Sequence, residues 1–347
     1  MPSDLTISPM NITVLGAGAW GTALAIALAQ RHRVTLWGRN PDTMATADAQ
    51  RENSVYLPGF PLPDNLLLSA DFEQAIRHVT TDAAAANSEA LLIVASSVAG
   101  LRELAQQLKA YPIPNIVWLC KGFEENTRLL PHQIVRQVLG QAIPAAALSG
   151  PSFAQEVARG LPCALSVASG HAGLCEQVVA AVHGGHIRVY STDDLVGVEV
   201  GGAVKNILAI ATGVADGLGL GLNARAALIT RGLAEITRLG VALGGRSETF
   251  MGLSGVGDLI LTCTGDLSRN RRVGLGLAQG KKLESIVTEL GHVAEGVRCA
   301  AAVRALAQER GIDMPITNAV AGLLFDGDSL EAVMELLWSR NPREESA

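Results

Sequence analysis

The chain has 347 residues, more than one hydrophobic core usually serves, so two domains are expected. Hydrophobic residues make up 48% and charged residues 17%, with only 4% aromatics, a composition that suits an interior of Ala, Val, Leu and Ile and excludes extensive disorder. A net charge of -6 offers no general attraction to nucleic acid or to an anionic membrane, so a phosphate-bearing ligand must be held by local cations.

From residue 11 to about 190, short β-branched runs at 12–15, 34–37, 91–95, 116–119, 145–148 and 164–168 alternate with helix-like segments. That pattern predicts a parallel sheet with helical crossovers, Rossmann-like and doubly wound, over residues 10–192. One crossover carries Leu101, Leu104, Ala105 and Leu108 at helical spacing after a candidate N-cap at Ser97. Past about residue 193 the strand-like runs end, and Ala-, Leu- and Gly-rich segments at 195–216, 224–243, 298–310 and 330–338 predict a mostly α-helical second domain over 193–340. Lys205-Asn206 interrupts the apolar stretch 196–214, so no membrane span is expected. Residues 1–10 contain Asp4 and lack the pattern of a secretory signal. Cys120, Cys163, Cys175, Cys263 and Cys299 form no CxxC pair, which reads as reduced thiols in a cytoplasmic protein without a metal site.

The first chemical signal follows the first strand. Gly16-Ala17-Gly18-Ala19-Trp20-Gly21 matches the G-x-G-x-x-G turn of dinucleotide-binding proteins and opens a helix expected over 22–30. In such a turn the first glycine permits the bend, the second lets backbone amides approach the pyrophosphate, and the third lets helix pack on strand. About 20 residues on, where an NAD-selective site places a carboxylate, stands Arg39. It is either a clamp for the 2′-phosphate of NADP or an ordinary surface arginine after a strand. Two later loops, Cys120-Lys121-Gly122 and Gly150-Pro151-Ser152-Phe153-Ala154, follow strand-like runs and either face a ligand or are plain turns. His183 and His186 are separated by paired glycines and read as a loop, not as metal ligands.

The second domain supplies two further signals. Lys205 interrupts an otherwise apolar helix, and burying its ammonium is costly unless it is paired or gives up its proton. It is therefore either an acid/base group, with Asn206 beside it to orient it or bind substrate, or a lysine snorkelling from a helix edge. Asp258, in another apolar stretch, is either a turn residue or the partner of Lys205. Ser268 can N-cap a helix whose first turn holds Arg269 and Asn270, so amides, guanidinium and carboxamide could meet one oxyanion; the alternative is a capped basic surface helix.

Several ordered motifs together resemble the NAD(P)-dependent glycerol-3-phosphate dehydrogenases of the bacterial biosynthetic type. They are GAGAWGTALA at 16–25, NSVYLPG at 53–59, CKGFE at 120–124, SGPSFA at 149–154, GVEVGGAVKNILAIATG at 197–213, GDLILTCTG at 257–265, SRNRR at 268–272 and VAEGV at 293–297. The resemblance implies a C-terminal domain similar to that of 6-phosphogluconate dehydrogenase. It implies reversible reduction of dihydroxyacetone phosphate to sn-glycerol 3-phosphate, a phospholipid precursor, using NADP or NAD, with Lys205 as acid/base and Asp258 tuning it. By the same matching Lys121, Gly150, Ser152, Lys205, Asp258, Ser268, Arg269 and Asn270 would meet substrate. Gly16, Gly18, Ala19, Trp20, Gly21, Arg39, Lys121, Ala154, Arg269, Val293 and Glu295 would meet cofactor. No nucleic acid or integral membrane contact is implied, and a homodimer is compatible. Ser96-Ser97, where a proline-containing turn is expected, and residues 183–186 depart from the family pattern. Two competing readings remain at this point: a two-domain β-hydroxyacid or 2-keto acid reductase, and a non-catalytic NADP-binding regulator, which has no need of a buried lysine.

Overall fold

A computed structural model describes residues 8–291 and 294–338. Its chain forms two compact units: Met1–Lys121 with Leu130–Glu199, and Gly122–Leu129 with Val200–Ala347.

The first unit is built on eight strands: β1 (Asn11–Leu15), β2 (Arg33–Trp37), β3 (Leu67–Ser69), β4 (Ala90–Val94), β5 (Ile116–Trp118), β6 (Ala145–Ser149), β7 (Cys163–Ala168) and β8 (Ile187–Thr192). They lie in the order β3-β2-β1-β4-β5-β6-β7-β8, whose first six strands follow the doubly wound dinucleotide-binding order. β1 and β4 are buried along their whole length, as strands covered by helices on both faces must be, which explains their unbroken apolar runs. The register sets Leu15 between Trp37 and Val94, so β1, β2 and β4 end level with one another.

Two features differ from the expectation. β3 and β8 were not expected as strands: β3 has three residues and opens on an exposed Leu67, while β8 is an edge strand with polar residues on its open side. The sheet is also not wholly parallel, because β6 pairs antiparallel with β7. The link between them holds only the five-residue helix Ala154–Ala158. The next strand itself runs back, and no long crossover helix covers this step.

The expected helices form with shifted ends. Ala19–Ala29 begins directly after Gly18, three residues earlier than expected, since no side chain is needed to cap it. Val98–Leu108 buries Leu101, Leu104, Ala105 and Leu108 as the spacing requires, and Ser97 sits at its N-cap without a side-chain bond. Residues 183–186 form a turn into β8, where His183 Nδ1 accepts from the Val189 amide at 3.2 Å.

In the second unit helices account for nearly all described structure: Gly221–Ala242, Asp258–Thr264, Arg269–Ala278, Leu283–Leu290, Glu295–Glu309, Pro315–Ala321 and Leu330–Trp338, with shorter turns between. The helix Leu195–Gly217 runs into this unit from the first. It is long and apolar enough to cross a bilayer, yet 89% of its most apolar stretch is buried inside protein, the mark of a core helix. A buried carboxylate anchors one edge of the unit. Glu235 accepts the Ile316 amide at 2.6 Å, the Thr317 amide at 3.2 Å and the Thr317 hydroxyl at 3.1 Å, capping Pro315–Ala321 from another helix.

Burial raises the Glu235 carboxyl from 4.5 to about 7 despite those bonds. The folded form therefore holds a proton that the unfolded chain releases, so this group's stabilisation is complete below about pH 4.5 and is lost as pH rises through about 7. Between about pH 5 and pH 8 the protein should lose about 2–3 kcal/mol relative to Glu235→Gln, measured by urea unfolding of both at each pH. Parallel pH profiles for the two would remove Glu235 as the cause.

Candidate functional site

In the first unit the chemistry gathers at the carboxyl ends of β1, β2 and β4. Gly16 leaves β1 at φ +126°, a conformation L side chains rarely adopt, and its amide is held by the Trp37 carbonyl at 2.9 Å. A Cβ on Gly21 would lie 2.0 Å from the Gly16 carbonyl oxygen, so the third glycine is what lets the helix sit against the turn. Gly18 is different: a Cβ there would meet no protein atom within 4 Å. The space beside it is open, as close approach of a ligand to the backbone requires.

The amides of Ala19, Trp20 and Gly21 precede the first intrahelical bond, from the Thr22 amide to the Gly18 carbonyl at 2.9 Å, and no side chain caps them. With the partial positive charge of the helix start, they suit a pyrophosphate. Arg39 follows β2 on the surface, 83% exposed, with only a loose 3.8 Å contact to Glu103. Its guanidinium has the freedom to meet a 2′-phosphate.

The second cluster in this unit brings together residues from two loops. Lys121 Nζ and Ser152 Oγ both donate to the Gly150 carbonyl, each at 3.2 Å. Ala154 opens the short helix that packs against Ala19–Ala29.

In the second unit Lys205 is buried and ion-paired with Asp258, itself 1% exposed, and donates to Thr262 Oγ1 at 3.1 Å. The snorkelling alternative is thereby excluded, and Asp258 is the partner rather than a turn residue. Packing sets the register. A Cβ on Gly201 would lie 2.3 Å from the Ser254 carbonyl oxygen, so the two backbones touch one helical turn before Lys205 and four residues before Asp258.

Asn206, the next residue on the same helix, joins a second network. Its Oδ1 accepts from Asn270 Nδ2 at 2.9 Å, and Asn270 Oδ1 accepts from the Gly296 amide at 3.0 Å. The helices Arg269–Ala278 and Glu295–Glu309 therefore both begin beside Asn206, with Glu295 half-buried at the second start. Ser268 caps the first of them, its hydroxyl accepting from the Arg271 amide at 3.2 Å. Two helix starts at one place concentrate positive potential without a net basic surface.

The arginines of SRNRR divide by role. Arg271 is locked to Asp216 at 2.8 Å and to Asp266 at 2.9 Å, and Arg272 donates to the Asp266 carbonyl at 2.9 Å. Arg269 is exposed and makes no ion pair among the described residues. It is the guanidinium of the three left for a ligand.

Val293, the remaining expected cofactor contact, lies outside the described residues. Among the described residues no group of three or more His, Cys, Asp or Glu could hold a metal. Burial pushes the Cys263 and Cys299 thiols up to about 12, which rules them out as nucleophiles.

The sequence did not single out Thr262, although its place one turn after Asp258 was a signal. Nor did it find Glu199, which accepts Trp118 Nε1 and the His132 amide, each at 2.9 Å, and pairs with His132 Nδ1. Burial raises the Glu199 carboxyl, and its bonds to His132 and Trp118 oppose that rise.

The strand order and the turn after β1 define a dinucleotide-dependent class of protein, and the second unit buries a paired ammonium. The comparisons make the class specific. Family models for the N-terminus and C-terminus of NAD-dependent glycerol-3-phosphate dehydrogenase match residues 11–175 and 194–335. A glycerol-3-phosphate dehydrogenase [NAD(P)+] of Herminiimonas arsenicoxydans is 73% identical over 338 residues, 97% of this chain and 100% of the relative. One from Ralstonia nicotianae is 58% identical over 97% of this chain and 99% of its own. The crystal structure of glycerol-3-phosphate dehydrogenase from Coxiella burnetii, 42% identical, superposes with a TM-score of 0.88 over 95% of this chain and 99% of that one. The chain belongs to the NAD-dependent glycerol-3-phosphate dehydrogenase family, and it is an oxidoreductase that uses NAD or NADP.

The Lys205–Asp258 pair can be tested for its cost. Asp258→Leu leaves a buried ammonium without its carboxylate and should lower stability by about 3–5 kcal/mol in urea unfolding. The double variant Lys205→Met/Asp258→Leu should recover most of that loss; additive losses would mean that the two charges are not coupled.

Proposed function

We propose that this chain reversibly reduces dihydroxyacetone phosphate to sn-glycerol 3-phosphate, with Lys205 giving the proton to the C2 oxygen. The observation that carries the reading is the buried Lys205–Asp258–Thr262 arrangement beside two helix starts. When bound, the reduced nicotinamide supplies the hydride that C2 receives. The products are the secondary alcohol and the oxidised cofactor, so one hydride and one proton are added across the carbonyl.

Each residue then has a physical task. Asp258 and Thr262 hold the Lys205 ammonium in one orientation and offset its desolvation, so that it meets the oxygen on which negative charge develops. Arg269 and the capped start of Arg269–Ala278, with Ser268 and Asn270, bind the substrate phosphate. Asn270 contributes chiefly by aligning the two helix starts, because its amide is already committed to Asn206 and Gly296. Lys121, Gly150 and Ser152 complete the substrate contacts.

Gly16, Gly18, Ala19, Trp20 and Gly21 hold the pyrophosphate of the cofactor, and Arg39 accepts the 2′-phosphate of NADP without excluding NAD. Ala154, Arg269, Val293 and Glu295 are its further contacts. A phosphorylated three-carbon product of this kind is a precursor for phospholipid, and the cytoplasm is where we place the enzyme.

Steady-state NADPH oxidation with dihydroxyacetone phosphate, set against hydroxypyruvate and ketopantoate, tests the substrate. Turnover with a keto acid and none with the phosphate ester would overturn it. Lys205→Met should fold and bind NADPH while kcat falls by roughly 10²–10⁴, and full turnover in that variant would remove Lys205 from the chemistry. Arg269→Ala should raise KM for dihydroxyacetone phosphate by roughly tenfold to a hundredfold; an unchanged KM would put the phosphate elsewhere.

A further inference from the structure

The NSVYLPG segment carries no role in the chemistry above, yet its first residue is tied to the glycine turn. Asn53 is 2% exposed and follows the helix Pro41–Gln50, which stops where Arg51 turns left-handed at φ +49°. Asn53 Nδ2 donates to the Ala17 carbonyl at 2.8 Å and to Thr22 Oγ1 at 2.9 Å. A carbonyl oxygen can only accept, so the amide orientation is fixed by chemistry as well as by shape. The Asn53 carbonyl in turn accepts the Leu57 amide at 2.8 Å, and Leu57 is 1% exposed, so the asparagine is anchored on its own side.

We infer that Asn53 is a positioning residue for the cofactor: by fixing the Ala17–Gly18 peptide it aims the Gly18 N–H at the pyrophosphate. In a trans peptide the C=O and the following N–H point in opposite directions. Holding the Ala17 oxygen toward Asn53 therefore points the Gly18 N–H away from Asn53. Space beside Gly18 is open, since an added Cβ would find no protein atom within 4 Å. Glycine at 18 makes that peptide easy to rotate, so without an external hold the donor would be lost among several orientations. The bond to Thr22, buried at 0% exposure, ties the first helical turn to the same anchor. Turn and helix amides then present one preformed cradle, and binding avoids the cost of ordering it.

This inference rests on the reading that the glycine turn carries the pyrophosphate, and the experiment separates the two. Dissociation constants for NADPH are measured on the folded full-length chain for Asn53→Ala, for Asn53→Asp, which keeps the shape but removes both donors, and for Gly18→Val as a probe of the turn. Thermal unfolding is followed in parallel.

Both Asn53 variants should bind NADPH about tenfold more weakly or worse. KM for NADPH should rise with it, with little change in kcat at saturating cofactor or in KM for the ketone substrate. A residue that merely supports the fold would lower the melting temperature and leave the NADPH constant of the folded protein within twofold. That result in both Asn53 variants, with Gly18→Val binding poorly, overturns the inference and leaves the turn as the pyrophosphate site. Unimpaired NADPH binding by Gly18→Val overturns the reading beneath it as well.

Discussion

The second unit is organised around one buried ammonium group. Lys205 sits in a helix whose neighbouring residues are buried, and an isolated charge there would cost more than the domain could spare. Asp258 and Thr262 meet it, and both stand on the short helix Asp258–Thr264, so one element supplies the counter-charge and the hydroxyl. That helix can come close only because Gly201 lets the Ser254 backbone touch the longer helix one turn earlier. The lysine, its partner and the glycine contact are thus a single packing solution. Changing any of them alters where the ammonium stands.

In the proposed reading, anion binding rests on the same device in both units. The protein carries a net charge of -6 and cannot rely on a broad basic field. Each unit instead uses backbone. The first offers the uncapped amides of Ala19, Trp20 and Gly21, and the second sets two helix starts beside Asn206. Single side-chain cations would refine these sites. Arg39 has only its 3.8 Å contact to Glu103 among the described residues, and Arg269 makes no ion pair among them, whereas Arg271 and Arg272 have structural duties with Asp216 and Asp266.

Strong perturbation of a titratable group did not by itself mark chemistry here. Glu199 and Glu235 are both raised by burial, and each is consumed by structural bonds, one to Trp118 and His132, the other to the start of Pro315–Ala321. What separates Lys205 from them is its place beside Asn206, where two helices start. A perturbed group becomes a candidate for catalysis only when a ligand-binding feature adjoins it.

The sequence alone determined the class of the first unit and singled out most of the candidate site residues. Unbroken apolar runs at β1 and β4 announce strands covered on both faces, and the spacing of Gly16, Gly18 and Gly21 announces a turn whose backbone must approach a phosphate. Both are local signals, because strand burial and turn geometry are written in adjacent residues. β3 escaped because three residues are too few to show a period, β8 escaped although Ile187 to Tyr190 alternate between buried and exposed, and the reversal at β7 escaped because strand direction is set by pairing rather than by the strand's own residues. Tertiary structure decided the open alternatives. Whether Lys205 was buried or snorkelling, whether Asp258 was its partner, and which arginine of SRNRR was free each depended on residues about 50 positions apart or on pairings between helices. The hold of Asn53 on Ala17 is of the same kind, for a hydrogen bond between residues 36 apart leaves no periodic trace in the chain.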